Sequence, residues 1–207
     1  MLPPPKNAAL AARASQAVET LAEAFGPRMI PGDGFMAFSR NASFRGDPEF
    51  AEATVRQRGP DALLRLWPRH VLGWALESSM AIEGGAVFFG TARADLEFLA
   101  IAQRPFFEGR EVATLNEGEA DPVAFETFQR GAPRQIAFLH LAALDQSIEL
   151  DVLEKLNARL QTGAIVVIEE FGRSALAERH GALLQFFRAR RIVPLEVGTA
   201  QGIVLWP

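Results

Sequence analysis

The side chains able to do chemistry in this chain gather at the ends of short apolar runs. QIAFLHL, 135 to 141, carries His140, an imidazole that can serve as a general base near neutral pH. On an apolar strand the same histidine can equally be a hydrogen-bonded member of the core. AIVVIEEF, 164 to 171, carries Glu169 and Glu170, two carboxylates that can bind a hard cation through oxygen or act as a base. Adjacent side chains on a strand point to opposite faces, so a joint role requires the chain to have left the strand. IEGGAVFFG, 82 to 90, sets Glu83 ahead of Gly85 and Gly90. Acid and glycines together are the composition of a strand-to-helix turn whose backbone approaches a nucleotide closely. Phe88 and Phe89 stand where such a loop prefers small residues. With no second carboxylate on the neighbouring strand, no metal is expected, since hard cations want several oxygen ligands. The chain has no cysteine and no tyrosine, which removes disulfides, thiol nucleophiles, thiolate metal sites and phenolic acid-base catalysis.

The elements that must position these groups follow from periodicity and punctuation. Leu10, Val18, Leu21, Ala22 and Phe25 predict a helix over 8 to 25, ended by Gly26-Pro27. Its apolar stripe must be covered by something, so it is a candidate arm for a protein partner or a second copy of the chain. MIPGDGF, 29 to 35, predicts a loop from its Pro and Gly content. Asp47-Pro48-Glu49 starts a helix to about Arg58, with Asp47 as N-cap. Asp61 caps the next, which carries Leu63, Leu64, Trp67, Val71, Leu72 and Trp74, both tryptophans expected in the core. MAIEGG is a short apolar run, a first strand. A helix spans Thr91 to Gln103, EVATLN a strand, and QIAFLHL a buried strand. Asp145 caps a helix over 148 to 160, which Gly163 stops, and AIVVIEEF is the strongest strand. Ser174 to Arg190 is helical, and IVPLEVG with QGIVLWP forms a closing antiparallel hairpin.

Buried strands alternating with amphipathic helices give an α/β fold, a mixed sheet with helices on both faces. Residues 1–75 form a helical N-terminal cap and 76–207 the α/β core, together one compact unit. The 207 residues are 49% hydrophobic and 22% charged, with net charge −4 and pI near 5.5. That balance supplies no basic field for nucleic acid. No run approaches a membrane span, and no leader is visible, so a cytoplasmic protein is expected.

Taken in order, the segments resemble class I S-adenosylmethionine-dependent methyltransferases, more narrowly the macrocin O-methyltransferase type. The resemblance covers roughly residues 35 to 207. FSRNASFRGDPEF is similar to the family's entry segment and LLRLWPRHVLGWAL to the helix before its first strand. IEGGAVFFG resembles the loop Glu-Phe-Gly-Val-Tyr-x-Gly-Gly, and FLHLAALDQS resembles Phe-x-His-Ile-Asp-x-Asp-x-Tyr-Ser. LNARLQTGAIVVIEEFG resembles Leu-x-Pro-Gly-x-x-x-Val-Phe-Asp-Glu-Tyr, and GTAQGIVLWP the closing strand. The resemblance implies a Rossmann-like methyltransferase fold with S-adenosylmethionine as cofactor, bound by Glu83, Gly85 and Gly90. It also implies a ribose contact at the end of the second strand, where Asn116 or its neighbour Glu117 stands, and chemistry at His140, Glu169 and Glu170.

Four departures from the family pattern cluster in these segments. Phe89 replaces a glycine, with a bulky Phe88 before it, and can fill the methionine end of the pocket or turn into the core. Asn116 replaces an acid. Only about 20 residues separate EVATLN from QIAFLHL, room for one short strand or helix rather than a full βα unit, which removes one wall of the adenine pocket. Ala142 and Leu144 replace the two acids that follow the family's histidine. The departures predict a retained fold with weakened or lost catalysis, acting through partner or ligand binding. The alternative is an active O-methyltransferase on a small or saccharide-like hydroxyl.

Overall fold

The computed structural model describes residues 29–32, 35–38, 43–57, 65–116, 122–143, 146–172 and 177–207, with isolated helical positions at 9, 13, 16, 17 and 20. The rest of the expected helix 8 to 25 lies outside the described residues, as do Asp61, Leu63, Leu64, Glu117, Leu144 and Asp145.

The segment 29 to 35 is not the expected loop. Met29–Gly32 (β1) and Phe35–Phe38 (β2) pair antiparallel, with Met29 opposite Phe38. Proline and glycine are tolerated in such a two-stranded ribbon, whose outer edges donate to no ladder. A short 3-10 turn, Ser43–Gly46, leads into α1 (Pro48–Arg56). Here the predicted cap forms: Asp47 Oδ1 accepts the Phe50 N–H at 2.8 Å, with proline in the first turn. The next helix, α2, is Leu66–Ser79. Its buried stripe runs through Leu66, Arg69, Leu72, Leu76 and Ser79. Of the two tryptophans expected in the core, Trp67 is half-buried and packs against it, whereas Trp74 is 47% exposed.

The first strand of the main sheet begins later than MAIEGG suggests. Residues 80–84 are turn, and β3 is Gly85–Phe89, five buried residues in a row. A parallel strand covered on both faces reads as a continuous apolar run, and GAVFF is such a run. There follow α3 (Arg93–Ala102), α4 (Arg104–Gly109), β4 (Val112–Leu115), α5 (Pro122–Gly131) and β5 (Ile136–Leu141). After them come α6 (Gln146–Leu156), β6 (Leu160–Ile168), α7 (Ala177–Ala189), β7 (Leu195–Glu196) and β8 (Gly202–Leu205). Gly163 does not stop a helix. It lies inside β6 with φ +85°, where the β5–β6 register shifts, a bulge that suits glycine.

The strand order is β4-β3-β5-β6-β8-β7. β4, β3, β5 and β6 are parallel, while β8 runs antiparallel to β6 and pairs with β7 as the expected hairpin. Between β4 and β5 the described residues hold one short helix, α5, and no strand, so the third βα unit is reduced as its length requires. Helices α1 to α4 cover one face of the sheet, packing Phe50, Leu72, Leu76, Phe98 and Phe106 on Phe88, Phe138 and Val167. Helices α5 to α7 cover the other, packing Phe128, Val152, Leu153 and Phe187 on Phe89, Leu139, Leu141 and Ile168. The chain therefore changes faces after β4. The parallel strands also change direction of travel between β3 and β5, which makes the carboxyl ends of those two strands the topological switch point.

Candidate functional site

In an open α/β sheet the crevice at the switch point is the place for a ligand. The turn that opens it here is Gly90-Thr91-Ala92, between the end of β3 and the start of α3. Gly90 has φ +71°, and a Cβ there would stand 2.5 Å from the Ala143 nitrogen and 2.8 Å from the Ala142 carbonyl carbon. Only glycine passes so close to the backbone leaving β5. Gly90 N–H also donates to Leu115 O at 2.7 Å, tying this turn to the end of β4 and to Asn116 just beyond it. The structure thus gathers Gly90 and Asn116 at one edge of the switch point.

Glu83 and Gly85 are not there. Gly85 opens β3, about 16 Å from Gly90 at the rise of a strand, and Glu83 lies in the turn before it. IEGGAVFFG is consequently strand for most of its length, not a cofactor loop. Glu83 and Gly85 instead line an open cleft of about 720 Å³ with Arg110, Arg130 and Arg134. Gly85 is glycine because a Cβ would stand 2.4 Å from Glu111 O. Phe88 and Phe89 do not enter the crevice either. Both are fully buried and point to opposite faces, Phe88 beside Phe107, Phe138 and His140, Phe89 beside Phe125 and Phe128.

The carboxyl ends of the strands are joined instead by a chain of buried polar side chains. Thr91 Oγ1 lies 2.8 Å from His140 Nδ1, and His140 Nε2 lies 3.2 Å from Glu169 Oε1. Gln201 Nε2 donates to the same Glu169 oxygen at 2.7 Å and to Pro68 O at 3.3 Å. Arg65 Nη1 reaches Glu169 Oε2 at 3.5 Å, and its Nη2 reaches Asp95 Oδ2 at 2.5 Å. Arg69 Nε donates to Asp95 Oδ1 at 2.8 Å, with its guanidinium 5.0 Å over the Phe98 ring. Thr91, His140, Glu169, Gln201, Asp95 and Arg69 are all buried. Two carboxylates meet two guanidinium groups, so the formal charge of the network closes to zero.

The protonation of the centre follows from this geometry. Burial alone would push the Glu169 carboxyl up. The hydrogen bond from His140, the charge of Arg65 and the hydrogen bond from Gln201 outweigh it and hold the group at about 2. Glu169 is therefore an acceptor at neutral pH, so His140 Nε2 is the donor of that pair. Nδ1 is left facing the Thr91 hydroxyl. Burial likewise opposes the charge on Arg65, but Glu169 and Asp95 raise its pKa above the ordinary value.

Of the three expected catalytic residues, the structure brings His140 and Glu169 into contact, and Glu170 follows in the turn after β6. The chain has left the strand there, as a joint role would require, with Glu170 at φ +57°. Sequence reasoning missed Thr91, Arg65, Arg69, Asp95, Gln201 and Glu149. Glu149 is fully buried in α6, and its Oε1 accepts the Ala143 N–H at 3.1 Å, supplying a carboxylate to the loop after β5 from another element. A signal for several of these was present. Arg69 shares a helical stripe with Leu72 and Leu76, Asp95 with Phe98 and Leu99, and Glu149 with Val152, Leu153 and Leu156. A charge in phase with an apolar stripe faces the interior and needs a partner. Among the described residues no group of three or more histidines and acids is placed to hold a metal ion, and no helix is long and apolar enough to cross a membrane.

No protein-family model matches the sequence, and no curated protein matches it significantly. Solved structures do match. The apo structure of CalS11, a TDP-rhamnose 3'-O-methyltransferase of calicheamicin biosynthesis, superposes with a TM-score of 0.54 at 10% identity, over 81% of this chain and 96% of that one. The O-methyltransferase NovP superposes with a TM-score of 0.52 at 9% identity, over 94% of this chain and 98% of that one. With its strand order and its switch point between β3 and β5, the chain has the class I S-adenosylmethionine-dependent methyltransferase fold.

Proposed function

We propose that this chain is a methyltransferase-fold protein in which cofactor binding and methyl transfer are weakened or lost, and which acts in the cytoplasm by binding a partner or ligand. The observation that carries the proposal is Asp95. It lies in the first turn of α3, where an anionic ligand would be drawn to the helix N-terminus. Its carboxylate already brings a buried negative charge to that turn, paired with Arg65 and Arg69.

S-adenosylmethionine is the cofactor the fold implies, and the residues at the switch point fit it poorly. Gly90 keeps the close backbone approach. The turn after β3 is Gly90-Thr91-Ala92, with no second glycine, and Glu83 and Gly85, which the resemblance assigned to the cofactor, stand at the other end of the strand. Asn116 offers an amide where a ribose-binding acid would carry charge. The reduced β4–β5 connection supports a missing adenine wall. A partner engages most readily through the N-terminal helical cap, whose apolar stripe between residues 8 and 25 calls for a cover.

The alternative, methyl transfer to a small or saccharide-like hydroxyl, draws on the His140–Glu169 pair, an oriented base at the carboxyl end of the sheet. Calorimetric titration of the full chain with S-adenosylmethionine and S-adenosylhomocysteine separates the two. No heat of binding at ligand concentrations of about 1 mM is expected. Micromolar affinity for either would overturn the proposal and favour the enzyme.

A further inference from the structure

A cleft of about 350 Å³ opens on the flank of α2, between the start of α1 and the α3–α4 junction. It takes no part in the buried network. Phe44, His70 and Trp74 are among its walls, and Asp47, Glu49 and Glu77 supply three carboxylates, with no lysine or arginine among the lining residues. The aromatic floor is built of rings packed on one another. Phe44 stacks on His70 with centroids 4.1 Å apart and planes 12° apart. Phe44 also meets Phe50 and Trp67 edge-on, each at 5.0 Å. Burial holds His70 below its ordinary pKa, so the ring adds no positive charge at neutral pH. Trp74 keeps 47% and Met80 44% of its surface open, an apolar area at the cleft that nothing among the described residues covers.

Each ligand class meets a different fate here. An anion is repelled by the three carboxylates, and a neutral apolar group gains nothing from them. A hard metal ion would want a shell of oxygen ligands that Trp74 and Met80 do not offer. A helix of a partner protein exceeds the volume. An alkylated ammonium matches both features, since its methyl groups pack on ring faces while its charge is drawn by the ring quadrupole and the carboxylates. We propose that this cleft binds a small organic cation with an alkylated ammonium head, seated on Trp74 with Glu49 and Glu77 as its counter-charges. The site stands independently of whether S-adenosylmethionine binds.

The test is titration of the full chain with choline and with tetramethylammonium, followed by calorimetry and by tryptophan fluorescence. The neutral isostere 3,3-dimethylbutan-1-ol is the control. The expected dissociation constant for the cations is about 1 mM or tighter. Binding should weaken about tenfold for the isostere, and for the Trp74→Leu and Glu77→Gln variants. Both substitutions are at exposed positions, and an unchanged thermal midpoint checks each fold. A parallel titration with N-acetyl-trimethyllysine amide assigns the source: tighter binding than choline points to a protein-borne ammonium, weaker binding to a free one. Absence of cation binding, equal affinity for the neutral isostere, or wild-type affinity in Glu77→Gln would overturn the proposal.

Discussion

Replacing Asp95 with alanine is expected to lower the unfolding free energy by about 3–5 kcal/mol, the usual cost of removing one partner from a buried ion pair. Asp95 is 3% exposed and is the shared counter-charge of Arg65 and Arg69. Arg69 is itself 4% exposed, and its Nη1 already has no hydrogen-bond partner among the described residues. Without Asp95 its charge would be stranded between α2 and the ring of Phe98, with no route to water short of local opening. Asp95→Asn keeps the shape and one acceptor but not the charge, and should fall between alanine and wild type. The contrast is the exposed Arg93–Glu97 pair on the same helix. Removing Glu97 should change stability by less than about 0.5 kcal/mol, as exposed i,i+4 pairs do. Urea unfolding at pH 7 measures all three. A loss below about 1 kcal/mol in Asp95→Ala would mean that Asp95 does not hold the two guanidinium groups in place.

Glu169 makes the second large effect one of pH. Its folded pKa of about 2 lies below the ordinary 4.5. Burial opposes that shift, and the His140 hydrogen bond, the Arg65 charge and Gln201 overcome it. A depressed folded value means that the unfolded chain binds this proton more readily. The stabilisation is therefore complete above about pH 4.5 and is lost as pH falls toward 2. The gap corresponds to about 3 kcal/mol. Glu169→Gln cannot titrate, so its stability should start lower at pH 5 and fall less steeply below it. Denaturation midpoints at pH 5, 4, 3 and 2.5 for both proteins give the comparison. Parallel profiles would remove Glu169 from the acid response.

How much of this was legible in the sequence depends on what kind of signal carried each part. The strands β4 and β5, the Asp47 cap and the closing hairpin are local patterns, and each formed where its periodicity or punctuation placed it. The register of β3 was not legible, because two glycines ahead of GAVFF mimic the glycines of a loop. The true turn carries only Gly90, followed by Thr91 and Ala92, which advertise nothing. His140 and Glu169 were found because each closes an apolar run. Their partners Thr91 and Gln201 are ordinary polar residues in turns, and only the strand order brings them within hydrogen-bonding distance. Arg69, Asp95 and Glu149 were legible in principle, since each is a charge in phase with buried neighbours. The pairing of α2 with α3 was not, because it joins segments 26 residues apart through a contact that neither helix shows alone.

The central claim is the proposed loss of cofactor binding at the switch point. Backbone amide resonances of Gly90, Thr91, Ala92 and Asn116, followed while S-adenosylhomocysteine is added to about 1 mM, test it most directly. Unmoved resonances at all four positions are the predicted result. Saturable shifts centred on Gly90 and Asn116 would show the crevice open to the cofactor and contradict it.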